Sequence, residues 1–252
     1  MPEEFVQPSA STEMSFSDKF VGILSSPSDV FQSITTTEAK TSNWAIPLVL
    51  AIVISLIFTF VVFTQPAIQD QMKETQQKAM QERVAEGKMT QEQMDTAMEF
   101  SQPGSPMFLI FGSVGVIVVL AVALFAYSLV YWLIGKIAFK SGVGFTKVLE
   151  VNGLAMYIAP VATLLTMVLI IAMGSLYAQP SAALFISNFD PQDKMHKALA
   201  ALNVFEFWAM FVTGIGLSKV WKVSFGKGLG VVLVVWVVWT AIKIFAGIGP
   251  GM

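Results

Sequence analysis

The sequence predicts an all-α membrane protein, a polytopic helical bundle with five transmembrane helices and peripheral amphipathic helices. Hydrophobic residues make up 55% of the 252 residues and charged residues only 13%, about half the charged fraction of a soluble domain. Five apolar runs have roughly the 20 residues that a helix needs to cross a bilayer, where the backbone of each run can satisfy its polar groups only as a helix. The runs are residues 44–64, 107–135, 148–178, 201–220 and 229–249.

Residues 1–43 are predicted to form a cytoplasmic, amphipathic amino-terminal segment. Two short helices are expected within residues 15–34, because Ser26 and Pro27 are typical of a cap followed by the first residue of a helix. The start of the chain is acidic where a signal peptide would be basic, so no cleavable signal peptide is expected. The apolar faces of the two helices either lie on the membrane or pack against the bundle, or they offer a docking face to a cytoplasmic partner.

Residues 65–106 are predicted to form an extracytoplasmic helical hairpin that follows the first transmembrane helix, residues 44–64. Gly87 can end the first helix of this hairpin, and Thr90 with Gln93 makes a capping box for the second. An apolar stripe with helical spacing runs along the first helix through Ile68, Met72, Met80 and Val84. That stripe predicts either the core of the hairpin or an adaptable binding surface.

Residues 107–252 are predicted to form a four-helix membrane bundle, and its short loops set the orientation. The loops 136–147 and 218–228 each carry three lysines and no acidic residue. Short basic loops stay on the cytoplasmic side of a membrane, so we expect the amino terminus inside and the carboxyl terminus outside. Gly226 and Gly230 have the spacing of small residues that permits close approach of two membrane helices.

Polar and helix-breaking residues inside the apolar runs are the candidate functional positions, because polar groups are costly in a bilayer. Glu150 lies near the cytoplasmic end of the third run. It is either an ion or substrate site or an anchor beside the cytoplasmic lysines. Glu206 and Lys243 lie at similar depths near the opposite face, where they either pair or each reach the nearby interface. Pro160 removes a backbone hydrogen bond and is expected to kink the third helix, close to Asn152.

The composition also narrows the chemistry that the chain can perform. The net charge of −2 gives no electrostatic basis for binding nucleic acid. The absence of cysteine excludes disulfides and thiol catalysis. The single histidine, His196, has only Asp190 and Asp193 beside it, too few ligands for a convincing metal site. We therefore expect no enzymatic activity, no catalytic residue, no metal and no cofactor.

Glycine, proline and aromatic positions in four stretches carry a family resemblance. The stretches are "FVGILSSPSDVFQSI", "WAIPLVLA", "GVGFTKVLEVNGLAMYIAP" and "FEFWAMFVTGIGLSKVWKVSFGKGLGV". They resemble bacterial proteins of the Yip1 family, over about residues 15–250 apart from 65–105. The resemblance implies five spans, a cytoplasmic amino terminus and a bacterial cytoplasmic membrane. Eukaryotic members are implicated in vesicle traffic with small GTPases, and their Asp-Leu-Tyr-Gly-Pro motif is absent here.

Two functions are compatible with these features. The resemblance and the peripheral helices favour a non-enzymatic scaffold or adaptor in membrane organisation or trafficking-like processes. Its expected partners are the lipid bilayer, proteins that the sequence does not specify and, as an open alternative, further copies of the chain. The second function is a small-solute or ion transporter or channel that uses Glu150 and the kinked third helix.

Overall fold

Long apolar helices frame the fold in the computed structural model, which describes residues 14–246. Short helices pack at both ends of the long helices. A 3₁₀ turn and an isolated β-bridge lie in the region before the last two long helices. The helices, in chain order, are α1 (Phe16–Ser25), α2 (Pro27–Ile34), α3 (Ser42–Phe63), α4 (Pro66–Ala85), α5 (Gln91–Phe100), α6 (Pro106–Ala138), α7 (Phe145–Ala155), α8 (Ile158–Met173), α9 (Lys194–Ala201), α10 (Val204–Trp221) and α11 (Phe225–Phe245).

The expected count of five spans is not exact. Four segments of the described chain are long and apolar enough to cross a membrane, namely α3, α6, the pair α7–α8 and α11. The predicted fourth span, 201–220, becomes α10, which begins only at Val204 and carries Glu206 and Lys219 in its end turns. Because α10 packs against α11, α7 and α2, protein covers many of its side chains, and it tolerates more polar residues than a helix surrounded by lipid.

The third span is broken into two helices between Ala155 and Ile158. Around the break the backbone tightens, with the amides of Tyr157 and Ala159 donating to carbonyls only three residues earlier. Pro160 explains the position, because its ring nitrogen cannot donate to the carbonyl of residue 156. In the first turn of α8 that missing donor costs nothing, since first-turn amides have no partner within the helix.

The two amino-terminal helices pack against one end of the bundle, which we call the amino-terminal end. A capping box between Ser15 and Asp18 starts α1, and Pro27 is the first residue of α2. Phe31 on α2 is fully buried and lies so close to Gly216 on α10 that a Cβ at that glycine would overlap its ring. Burial of a side chain of this size stabilises the packing by about 1.5–3 kcal/mol, so the bundle occupies the apolar face of α2.

Helices α4 and α5 form a hairpin at the opposite end of the bundle, the hairpin end. Thr90 and Gln93 make the capping box of α5. The hairpin is fastened to the loop after α8, where the Leu176 amide donates to Gln71 Oε1 at 2.7 Å. Ile68 is buried with residues of α3 and α8. The apolar stripe of α4 therefore packs, at this position, against the bundle itself.

Close contacts between helices occur at glycines, although not at the predicted pair. A Cβ at Gly153 on α7 would overlap the backbone of Trp44 on α3. Gly214 on α10 and Gly228 on α11 pack against each other in the same way. The predicted Gly226 and Gly230 face open space, with no atom within 4 Å of a Cβ built there, because residue spacing does not say which side of a helix meets a neighbour.

Candidate functional site

Glu150, the first candidate of the sequence, lies in the second turn of α7 and is completely buried. Val148, Leu149 and Val151 around it are buried as well, because α3, α6, α10 and α1 all contact this helix. Lys147 precedes Glu150 by three residues, which places the two side chains on the same face. The expected basic neighbour is therefore delivered by the helix itself.

Both carboxylate oxygens of Glu150 are held by donors. Oε1 accepts hydrogen bonds from Asn43 Nδ2 at 2.5 Å and from the Lys40 backbone amide at 3.2 Å. Oε2 accepts from Lys147 Nζ at 2.5 Å. The donors come from α7 and from the start of α3, so this one carboxylate joins two parts of the chain that are more than 100 residues apart.

A second layer of contacts extends the network to the amino-terminal helices. Lys19 on α1 is buried, and its Nζ donates to Asn43 Oδ1 at 2.9 Å. The Lys147 ammonium also donates to the carbonyl of Ile34, the last residue of α2, at 3.0 Å. We call Lys19, Asn43, Lys147 and Glu150 the charge cluster. It connects α1, α2, α3 and α7 at the amino-terminal end.

The energetics of such a cluster favour a fastening role over a reactive one. Burying charges carries a desolvation cost, which only good geometry and further hydrogen bonds offset. Glu150 meets that condition, because each of its oxygens accepts at least one hydrogen bond. Removal of the Glu150 carboxylate would take away the acceptor of Asn43 Nδ2 and the anion of Lys147, and a donor that is buried without its acceptor is costly. The arrangement therefore holds its four chain segments together strongly and leaves the carboxylate enclosed.

Asn152 belongs to a separate polar contact on the other side of α7. Its Nδ2 donates to Ser128 Oγ on α6 at 2.9 Å, and that hydroxyl donates to the Leu124 carbonyl at 2.6 Å. Ser128 is completely buried. The contact couples α7 to α6 just before the break between α7 and α8.

A cleft of about 470 Å³ opens between α6, α7, α8, α10 and α11, and three of the predicted polar residues line it: Asn152, Glu206 and Lys243. Glu150 and Pro160 do not line the cleft, although Ala159, the neighbour of Pro160, does. The structure thus divides the candidate residues between a closed charge cluster and an open cleft.

Glu206 and Lys243 share the cleft without forming an ion pair. Within the described residues no salt bridge of 4.0 Å or less joins them, and Glu206 Oε2 instead accepts from Trp236 Nε1 at 3.0 Å. Glu206 lies in the first turn of α10 and Lys243 in the last turn of α11. These positions suit their charges, because a helix amino terminus favours a negative group and its carboxyl terminus a positive one.

Sequence reasoning missed Lys19 and Asn43. Lys19 lies within the apolar face of α1, and Asn43 directly precedes the first apolar run. A polar residue at each of these places was a usable signal, since both interrupt a surface that is otherwise buried. The link from Asn43 to Glu150 could not be read from the sequence, because Glu150 lies 107 residues beyond Asn43.

Comparison with known proteins gives one match. The family model of the Yip1 domain matches residues 21–246, a stretch that includes α2, α3, the hairpin, most of the charge cluster and the whole cleft. No curated protein and no solved structure matches the chain.

Proposed function

The chain belongs to the Yip1 family of membrane proteins, and from that premise we propose that it acts as a non-enzymatic scaffold or adaptor in a bacterial cytoplasmic membrane. The charge cluster is the observation that carries this proposal. It fixes two peripheral helices to the bundle through hydrogen bonds that are buried or partly buried. Such bonds are not expected for a segment that is only loosely attached. A fixed surface is what an adaptor needs, because pre-organisation lowers the entropy that binding costs.

The surface that this arrangement would present to a partner is polar. Asp29, Gln32 and Ser33 on α2 are exposed, while the apolar face of the same helix is buried. Lys219 on α10 donates to Gln32 Oε1 at 3.2 Å, which adds a second attachment. We name the exposed residues Asp29, Gln32 and Ser33 the platform and propose it as the docking surface for a cytoplasmic protein.

Cross-linking in intact cells tests the platform. A photoreactive amino acid at Asp29 or Gln32 is expected to give adducts of defined mass, and the same group at Gln93 on the hairpin gives the matched control. Glu150→Gln, which releases the peripheral helices, is expected to abolish the adducts at both platform positions. Adducts that persist unchanged in that variant, or an absence of adducts in the wild-type chain, would refute the adaptor role of the platform.

The proposed orientation places the platform in the cytoplasm and the hairpin outside, as the basic loops favour. The chain has no cysteine, so single cysteines are unambiguous reporters. A membrane-impermeant thiol reagent is expected to label Gln76→Cys on α4 in intact cells and to leave Ser141→Cys, between α6 and α7, unlabelled. The opposite pattern would invert the orientation.

Transport through Glu150 is not favoured, because this carboxylate is enclosed and does not line the cleft. The direct test is the flux of protons and monovalent cations in liposomes that contain the purified protein. The wild-type chain and Glu150→Gln are both expected to match protein-free liposomes. A flux that the substitution abolishes would overturn the scaffold proposal in favour of a transporter.

A further inference from the structure

The cleft between α6, α7, α8, α10 and α11 has the dimensions of a ligand site. Its volume of about 470 Å³ falls within the range of roughly 300–1,000 Å³ that is usual for small-molecule sites. Helices α6 and α11 both line the cleft and meet each other at only a few positions. Trp239 on its wall is 41% exposed. An occupant could therefore enter sideways from the bilayer.

The two charges in the cleft are not neutralised by the protein. Within residues 14–246, Lys243 Nζ has no hydrogen bond or ion pair, and Glu206 has a polar partner only in Trp236. Lys243 lies in the candidate span α11, and charged groups in membrane segments normally pair, because the surroundings solvate them poorly. Glu206 is exposed in the first turn of α10. Here a negative and a positive group line one opening and remain apart. An occupant that carries both an ammonium and an anionic group would satisfy each of them.

We propose that this cleft binds a zwitterionic phospholipid with a primary ammonium, a phosphatidylethanolamine, from the leaflet at the hairpin end. Its phosphate accepts hydrogen bonds from Lys243, and its ammonium donates to Glu206. Both are charge-assisted hydrogen bonds, the stronger class of such contacts. Aromatic rings of Trp236 and Tyr127 also line the cleft and can attract the ammonium through their faces.

The deeper wall of the cleft suits an acyl chain. Between Asn152 and Ala162 it is mostly apolar, with three alanines, Ala155, Ala159 and Ala162, beside the larger Met156 and Ile158. It therefore offers no charge that would compete with hydrocarbon. An anionic phospholipid would engage Lys243 but would leave Glu206 without a cation. A headgroup with a quaternary ammonium could not donate a hydrogen bond to Glu206. The charge pattern thus selects among phospholipids.

Native mass spectrometry of the full chain in detergent tests the proposal with an equimolar mixture of phosphatidylethanolamine, phosphatidylglycerol and phosphatidylcholine. The wild-type chain is expected to retain phosphatidylethanolamine preferentially. Lys243→Gln and Glu206→Gln are each expected to weaken that binding about tenfold, the effect of one charge-assisted hydrogen bond. Lys197→Gln on α9 and Glu92→Gln on α5 remove the same charges outside the cleft and should leave binding unchanged.

A variant that keeps both charges distinguishes lipid bound inside the cleft from lipid that is only attracted by the charges of the protein. Ala162→Phe fills the deeper wall and is expected to lose phosphatidylethanolamine while its thermal unfolding stays close to that of the wild-type chain. Unchanged binding by Ala162→Phe would overturn the site. So would equal retention of all three lipids, or a wild-type chain that retains none, since the two charges would then simply be hydrated.

Discussion

The charge cluster at the amino-terminal end and the cleft towards the hairpin end each contain a glutamate and a lysine, but the two residues are arranged differently. In the cluster, Glu150 and Lys147 lie one turn apart on α7 and bond directly. In the cleft, Glu206 and Lys243 lie on two neighbouring helices and do not meet. Residues three apart on one helix lie close enough to bond, whereas residues at equal depth on two helices can face one space from different sides. A glutamate and a lysine that bond to each other stabilise the fold, whereas a glutamate and a lysine that stay apart are available to a ligand.

Glu150→Gln is expected to have the largest effect, a loss of about 3 kcal/mol or more in the free energy of unfolding. The substitution leaves the mostly buried Lys147 without its anion, and breaking a buried pair in this way costs about 3–5 kcal/mol. Unfolding in mixed micelles, followed as denaturing detergent is added, measures the loss. The control is Glu86→Gln, which removes an exposed pair with Lys88 and should change stability little. A loss below about 1 kcal/mol for Glu150→Gln would contradict the closed cluster.

Gly153→Ala is the next largest test, since it separates α7 from α3 beside the cluster. The added methyl group would overlap the backbone of Trp44, which cannot rotate away, and overpacking of this kind costs about 1–3 kcal/mol. Gly226→Ala is the matched helix control, with open space around its Cβ, and it should be neutral or slightly stabilising. The same unfolding titration compares the two. Equal stability would show that the close approach of α3 and α7 is not needed.

Glu206→Gln and Lys243→Met test the open half of the comparison through their additivity. Each is expected to cost less than about 1 kcal/mol in unfolding free energy, because neither removes an ion pair. The double variant should equal the sum of the single variants within about 0.5 kcal/mol, as for sites that do not interact. A double variant that recovers most of the loss would mean that the two residues pair after all.

The smallest effect concerns the cap of α1, an exposed counterpart of the buried cluster. The Ser15 side chain and backbone donate hydrogen bonds to Asp18 and hold the pKa of its carboxyl below the ordinary value. Because the pKa of Asp18 is lowered by folding, the cap adds to the stability of the fold at pH values above the unfolded pKa. This added stability is lost as the pH falls through the folded pKa. Carboxyl ¹³C NMR should show the lowered midpoint, and Ser15→Ala should raise it. A midpoint that Ser15→Ala leaves unmoved would rule out the capping box as the cause.

Much of the fold was within reach of the sequence, because the determining signals are local. The apolar runs and Ser26–Pro27 act within a few residues, and the Yip1 resemblance that they supported is confirmed by the family match. The count of spans is not exact at α10, because this helix begins three residues later than predicted and carries charged residues in both end turns. At Gly226 and Gly230, spacing identified small residues but not the face that packs.

The candidate site was predictable only in part, for the same physical reason. Lys147 beside Glu150 follows from helix geometry. The contributions of Lys19 and Asn43 arise from contacts across much of the chain, and no periodicity reports them. Likewise the depths of Glu206 and Lys243 could be estimated, but not the directions in which their side chains point.

The position of the charge cluster in the chain also sets an order for biogenesis. Lys19, Lys40 and Asn43 leave the ribosome more than 100 residues before Glu150, and the seat of Phe31 is complete only when Gly216 has been made. Helices α1 and α2 are thus the first helices of the described chain to be synthesised and among the last to dock. Until α10 is made, the apolar face of α2 lacks its seat at Gly216, so a chain that stalls before α10 leaves part of that face uncovered. Closure of the amino-terminal end marks a chain whose membrane insertion is almost complete.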